Sequence, residues 1–250
     1  MMNVTTCPTP SLYGEFAARY DLHTRPEDYQ ADQDFVLAEL ADLGTGARVL
    51  DLGCGTGVLL ARLREAGFEA RGIDAAPAMV ELAQRRLGAE FVSVGRIQDL
   101  GDTAAYDALV SLALPFNYVA GPEEAQATLE RFHRALVPGG RLILQVAHAA
   151  NAPPVVLENW EAGPGGERDI QFLCRFRALP GPVPALSAQY VYVCRSLAEL
   201  MLEEHRLEVA DVYFVAQLAE AAGFRDLAIF DNARREPLRD SMAPFLTARA

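Results

Sequence analysis

The chain has 250 residues, 51% of them hydrophobic, and a net charge of -12, with an isoelectric point near 4.8. That is enough apolar material for one large domain, or for a domain carrying an insertion. The negative balance argues against nucleic acid or an anionic membrane surface as partner, because phosphate binding needs a basic face.

The opening stretch, MMNVTTCPTP, has no basic n-region and no apolar h-region, so no secretory signal is read there. No apolar run reaches the length of a membrane span. Cys7, Cys54, Cys174 and Cys194 form no C-x-x-C pair, and His23, His133, His148 and His205 lack ligand spacing. No metal site is expected, and the thiols are expected to be reduced in a cytoplasmic setting. The segment SLYGEFAARYDL then presents Tyr13 and Tyr20, and Tyr29–Leu43 reads as an amphipathic helix.

Arg48–Leu52 reads as a buried strand. It overlaps VLDLGCGTG, Val49 to Gly57, in which an apolar run ends at Asp51 and is followed by Gly53, Gly55 and Gly57. Glycine tolerates positive φ and has no Cβ, so a chain turning here can press its backbone against a ligand. Val58–Ala66 reads as the following helix, with Gly67 as its C-terminal cap. A dinucleotide fingerprint would need glycine at position 58, where the chain has Val58, and this disfavours a nicotinamide cofactor. Glu69–Asp74 is a second strand whose final acid follows Gly57 by 17 residues. That offset suits a carboxylate that accepts from ribose hydroxyls. Pro77 suits the first turn of the next helix.

Glu90–Val94 reads as a third strand running into Gly95–Leu100. Tyr106–Leu114 is a fourth strand, apolar enough to be covered on both faces. Its end, with Leu112 and Ala113, should face a ligand, because such sheets bind at their strands' carboxyl ends. Glu123–Leu136 reads as a helix, Val137-Pro138-Gly139-Gly140 as its end, and Arg141–Ala147 as the fifth strand. The alternation stops between His148 and about Ala210. There Pro153-Pro154, Gly163–Gly166 and Pro180–Pro184 punctuate three antiparallel strands, Asp169–Arg177, Ala188–Cys194 and Leu200–Glu208. Asp211–Ala222 resumes as helix, followed by strands at Asp226–Phe230 and Pro244–Arg249.

The nonapeptide Val49–Gly57 resembles motif I of the class I S-adenosylmethionine-dependent methyltransferases, and GIDAAPAM resembles their motif II. SLYGEFAARYDL with the helix after it looks like the amino-terminal lid of small-molecule N-methyltransferases of the aminosugar and glycine/sarcosine types. The resemblance implies an α/β fold: a doubly wound, seven-stranded, mostly parallel Rossmann-like sheet. It also implies a helical lid over residues 1–45, a cofactor-binding core over 46–147, an inserted antiparallel subdomain over 148–210, and completion of the core by 211–250.

The implied cofactor is S-adenosylmethionine, leaving as S-adenosylhomocysteine. Asp51, Gly53, Cys54, Gly55 and Gly57 are expected beside its methionine part, and Asp74 at the ribose. Ala75 and Met79 are expected near the adenine. Ile97 would cover the ring and Gln98 would reach its exocyclic amine, with Asp99 as an alternative acceptor. Leu112 is expected to face the cofactor. Tyr20, and Tyr13 equally with a purely packing role, are expected to close over the methionine end.

Leu114-Pro115-Phe116-Asn117 compares only in part with the Asp/Asn/Ser-Pro-Pro-aromatic motif of amide and adenine methylation. Its amide-holding oxygen is missing, which reads against nucleic-acid methylation. Asn117 is a candidate contact to substrate, or else a turn former. His148 is the candidate base by topology, and His205 its rival.

The implied function is methyl transfer to a small molecule, at nitrogen in preference to oxygen. An O-methyltransferase and a non-catalytic S-adenosylmethionine-binding protein are the alternatives. The inserted sheet offers an edge for a second copy of the chain, so a homodimer is an expectation.

Overall fold

The computed structural model describes residues 10–24, 26–153, 170–194 and 199–250. The opening MMNVTTCPT with Cys7, the punctuators from Pro154 to Gly166, and Asp169 lie outside the described residues.

Among the described residues, ten strands and six helices follow one another, with short 3-10 turns between them. The main sheet uses β1 (Arg48–Leu52), β2 (Glu69–Asp74), β3 (Val92–Val94), β4 (Tyr106–Ser111), β5 (Leu136–Gln145), β9 (Arg225–Phe230) and β10 (Phe245–Arg249). Its order is β3-β2-β1-β4-β5-β10-β9. All neighbours pair in parallel except around β10, which lies antiparallel between β5 and β9. A separate antiparallel sheet is built from β6 (Ile170–Leu179), β7 (Ala185–Cys194) and β8 (Glu199–Leu207).

Successive side chains of a strand point to opposite faces, and the apolar runs use both. Val49, Ala108, Val110 and Ile143 pack against α2 (Gln30–Leu40), α3 (Val58–Glu65) and α4 (Pro77–Leu87) through Phe35, Val36, Leu40, Leu60, Leu63, Val80 and Ala83. Leu50, Leu52, Leu109, Leu142 and Leu144 pack on the other face. There they meet α5 (Pro122–Ala135) and α6 (Val212–Ala221) through Leu129, Phe132, Val212, Val215 and Ala219. Burying a side chain of this size stabilises by about 1.5–3 kcal/mol.

Most element bounds shift by one to three residues, and two ends depart from the sequence reading for identifiable reasons. The fourth strand stops at Ser111, because Ala113 and Leu114 both take left-handed conformations, with φ of 61° and 71°. The fifth strand begins at Leu136, because Val137–Gly140 is a bulge and not a helix-ending turn. Leu136 pairs with Tyr106, Arg141 with Ala108, and Gly139 N–H donates to the Ala250 carbonyl at 2.8 Å. Proline is tolerated in a strand at such a bulge.

The order reverses between β1 and β4, both central. The crevice beyond their carboxyl ends is the expected ligand position in such a sheet.

Candidate active site

Gly53, Gly55 and Gly57 have φ of 75°, 53° and 81°, a region that L side chains enter at about 1–2 kcal/mol each. Two of them are also sterically required. A Cβ on Gly53 would lie 2.5 Å from both Cβ and Cγ of Pro115, and one on Gly57 would lie 3.0 Å from Ala83 Cβ. The loop is held from the second strand. Gly53 and Cys54 N–H both donate to the Ile73 carbonyl, at 2.8 and 3.0 Å. Cys54 nests over Gly72, where a Cβ would meet its Sγ at 2.8 Å. Burial first, then the charges of Asp51 and Asp74, pushes the Cys54 thiol up, so it stays neutral packing material.

Asp74 completes the loop. Its Oδ2 accepts from Gly55 N–H at 2.9 Å and its Oδ1 from Ala76 N–H at 2.8 Å. Burial raises its pKa, and these two backbone donors oppose the rise. Each carboxylate oxygen has a second lone pair for a hydroxyl group.

Asp51 is 2% exposed. Its Oδ2 has no hydrogen-bond partner among the described residues. Burial, then the neighbouring charge of Asp74, pushes its pKa up to about 8. An unpartnered buried carboxylate is costly, and a cationic ligand group fits it. Around the crevice, Met79 packs beneath Ala17, Tyr13 and Tyr20, while Ala75 is exposed. Ile97 is buried, and Gln98 spends its amide N–H on the Tyr118 carbonyl at 3.4 Å, leaving Oε1 as an acceptor. Leu112 is half-buried just past β4.

The amino-terminal segment covers this loop. In α1 (Tyr20–His23), Asp21 accepts from Thr56 Oγ1 at 2.7 Å and pairs with Arg86 at 2.7 Å. Arg86 also donates to the Thr56 carbonyl. Tyr20, its pKa pushed up to about 12 by burial, keeps its proton.

Beyond Tyr13 and Tyr20 a ring of hydrogen bonds, closed by one ion-pair contact, joins three distant segments. Tyr13 Oη lies 3.0 Å from Tyr118 Oη, and Tyr118 Oη 2.6 Å from His205 Nδ1. His205 Nε2 lies 3.3 Å from Glu203 Oε2, an ion-pair contact outside hydrogen-bond geometry, and has no hydrogen-bond partner among the described residues. The Glu203 carboxylate also accepts Ser11 N–H at 2.6 Å and Leu12 N–H at 3.0 Å. Aromatic rings pack around it, with Tyr190 4.8 Å from His205 and Phe16 stacked on Tyr192 at 5.5 Å.

The structure separates the candidates for chemistry. His205 stands inside this ring. His148 is buried elsewhere: its Nδ1 accepts Val212 N–H at 3.4 Å at the start of α6, and its ring meets Tyr213 edge-on. Asn117 is fully buried and acts as a strut. Its amide donates to the Glu208 and Val209 carbonyls at 3.0 and 3.3 Å, and its Oδ1 accepts Ala147 N–H at 2.8 Å.

Tyr118, Glu203 and Tyr190 were not singled out from the sequence. A signal existed. Tyr190 and Tyr192 alternate on one strand, Glu203 and His205 on the next, and alternate residues share a face. The register pairs Tyr190 with Glu203.

Among the described residues, no three His, Cys, Asp or Glu side chains group as a metal site. Nor is any helix among the described residues long and apolar enough to cross a membrane.

Residues 49–140 match the family described as "Methyltransferase domain". A protein of Geobacillus sp. (strain WCH70) named "Putative methyltransferase" is 33% identical over 140 residues, 54% of this chain and 57% of its own length. A dTDP-3-amino-3,6-dideoxy-alpha-D-glucopyranose N,N-dimethyltransferase of Streptomyces fradiae is 27% identical over 150 residues, 57% of each chain. The chain thus spans little more than half the length of these curated relatives. The CcbJ methyltransferase of Streptomyces caelestis superposes with a TM-score of 0.74 at 21% identity, covering 95% of this chain and 97% of its own. The family match thus covers residues 49–140, and the sheet built on them has the fold of solved methyltransferase structures.

Proposed function

We propose that the chain catalyses methyl transfer from S-adenosylmethionine to a small molecule, at an amine nitrogen. The observation that carries this reading is the crevice itself. It has buried Asp51, whose Oδ2 lacks a partner, at the start of the glycine loop, and Asp74, which accepts from the loop's Gly55 N–H. Asp51 would face the positive methionine end and Asp74 the ribose. Gln98 Oε1 would receive the exocyclic amine, with Ile97 and Met79 against the ring. When bound, S-adenosylmethionine supplies a methyl group on a sulfonium, a good leaving group that needs no metal and no covalent enzyme intermediate.

The protein's share is placement and exclusion of water. Orientation of two bound reactants is worth roughly 7–11 kcal/mol in favourable cases. The lid over residues 1–45 and the insertion over 148–210 would enclose the acceptor, since Tyr13, Tyr118 and His205 meet where the two converge. Nitrogen is favoured over oxygen by the likeness to an aminosugar dimethyltransferase. A phenol–imidazole cluster also suits a group that sheds a proton.

A methyl-labelled donor supplied with metabolite extract, and separately with an amino sugar, should put the label on an amine. Label found only on hydroxyl oxygen overturns the choice of nitrogen. Absence of transfer together with tight donor binding favours a non-catalytic role. Asp74→Ala should weaken S-adenosylhomocysteine roughly 30-fold, because hydrogen bonds to a charged group are worth about 1.5–3 kcal/mol. Unchanged calorimetric affinity would remove Asp74 from the site.

The inserted sheet sets Leu173, Val191 and Leu202 abreast, with Leu202 74% exposed. This is the face on which a second copy would pair. Light scattering that returns a monomer at working concentration would dismiss the dimer.

A further inference from the structure

We infer that Tyr13, Tyr118, His205 and Glu203 form a proton wire of fixed direction, with Tyr13 as its entry, that draws the acceptor's proton out of the crevice. The inference rests on the amine-methylation reading above.

The direction follows from counting donors. A carboxylate only accepts, and Glu203 faces Ser11 N–H, Leu12 N–H and the His205 ring. That carboxylate, 3.3 Å from Nε2 though outside hydrogen-bond geometry, favours a proton over a lone pair there, so His205 Nε2 carries the ring proton. In a neutral imidazole the other nitrogen is then an acceptor. Nδ1, at 2.6 Å, takes the single proton of Tyr118. Tyr118 Oη, its proton spent, accepts from Tyr13 Oη–H at 3.0 Å. Tyr13 has then spent its own proton too. What remains at Tyr13 is a lone pair, so whatever meets it from the crevice must arrive as a donor, an N–H or O–H.

Tyr13 stands where the two reactants would meet. It packs on the Ala17–Ala76–Met79 cluster beside the adenosine side, and its ring lies 5.5 Å from His205.

The proton balance closes within named groups. The acceptor's N–H proton passes to Tyr13 Oη, and the bonding pair stays on nitrogen. Tyr13's proton passes to Tyr118 Oη, and Tyr118's to His205 Nδ1. The resulting imidazolium is paired with Glu203, and its proton leaves to water when the lid opens. No electrons change hands, and both phenols end as phenols. Tyr13 would touch the acceptor; Tyr118, His205 and Glu203 act through it and are positioning residues.

The titratable groups facing His205 are Tyr13 from the lid, Tyr118 from the turn after β4, Tyr190 from β7 and Glu203 from β8. Burial pushes the Tyr13 and Tyr118 phenols well above their ordinary range, so neither rests as phenolate. Burial pushes His205 down, with Glu203 opposing, so the ring waits neutral with Nδ1 open.

The test begins with nuclear magnetic resonance of the whole protein labelled with nitrogen-15 at histidine. His205 is assigned by its absence in His205→Gln, or by titration shifts in Tyr118→Phe if that variant does not fold. The wire requires an Nε2–H tautomer in the wild type. In Glu203→Gln the amide can donate to Nε2, so the tautomer should move toward Nδ1–H. A wild-type Nδ1–H tautomer, or no change in Glu203→Gln, overturns the wire whatever the reaction is.

A second arm uses the acceptor found by label transfer. Tyr118→Phe should lower kcat roughly 10- to 100-fold near neutral pH, in the lower range for proton-transfer catalysis. The loss should shrink at high pH, where the acceptor is already deprotonated. S-adenosylhomocysteine affinity should stay within about threefold. Equal kcat at every pH overturns the wire. Loss of donor binding in the wild type would overturn the function reading and leave the tautomer result standing.

Discussion

The two sides of the crevice, proposed above as the donor side and the acceptor side, are built in different ways. The donor side is local: Asp51, the glycine loop and Asp74 fall within 24 residues, and the loop is held by β2 and by Asp74 itself. The acceptor side is remote: Ser11, Tyr13, Tyr118, Glu203 and His205 come from three segments, and the bonded pair Ser11 and Glu203 is 192 residues apart. A local site tolerates change elsewhere in the chain. A remote one exists only when lid, core and insertion are all docked. One side can therefore stay fixed while the other diverges, which suits a single donor serving many acceptors.

Breaking the donor side should have the largest effect. Gly53→Ala puts a Cβ 2.5 Å from Pro115 at φ of 75°. Overpacking of about 1–3 kcal/mol and left-handed strain of about 1–2 kcal/mol should together weaken S-adenosylhomocysteine about 100-fold or more by calorimetry. If the acceptor side is truly separate, histidine tautomers in this variant should remain those of the wild type.

The next effect depends on pH. Asp51, raised to about 8 in the free protein, binds more protons folded than unfolded. Its contribution to stability is therefore most favourable below about pH 4 and is lost as pH rises toward 8. Asp51→Asn should flatten this fall in thermal unfolding temperature. Ligand affinity should run the other way. A cationic donor prefers the carboxylate, so wild-type affinity should rise between pH 6 and 8.5, and Asp51→Asn should bind more weakly with little pH dependence.

A smaller effect is expected at the fastening between lid and loop. Asp21→Ala removes bonds to buried Thr56 and to partly exposed Arg86. Such pairs contribute up to about 1 kcal/mol, so donor release, followed by stopped flow, should quicken a few-fold. The smallest effect is expected at Ala113, where φ is 61°. Ala113→Gly relieves the left-handed cost but adds chain entropy of about 0.5–1 kcal/mol. The net should be a gain of about 0.5 kcal/mol, or 1–2 °C in a melting scan.

The same division explains what could be read from residue order. Arg48–Leu52 and Glu69–Asp74 match the expected strands end to end, and the helices around them shift by a residue or so. Their signals, an apolar run and glycines at a tight turn, are local. The end of the fourth strand was not legible, because Leu112, Ala113 and Leu114 continue an apolar run. The chain turns left-handed there only under tertiary constraint, with Ala113 N–H held by Gln145 at 2.8 Å and Gln145 by Asp32 of α2. Pro138-Gly139-Gly140 carried a turn signal that the pairing with Ala250 converts into a bulge. Chain order after the fifth strand pointed to His148, but side-chain direction decides, and its ring turns to the start of α6. His205 was legible only as a rival, since a strand's face is fixed by the partner that docks on it.

Asp21, Thr56 and Arg86 give the crevice a cover whose clasp is partly ionic and open to solvent. Salt screens such a clasp more than it screens the buried ring behind it. Raising ionic strength should therefore hasten exchange of the spent nucleoside while leaving the inner phenol–imidazole geometry unaltered. Residence time and reactivity would then be adjustable on separate dials.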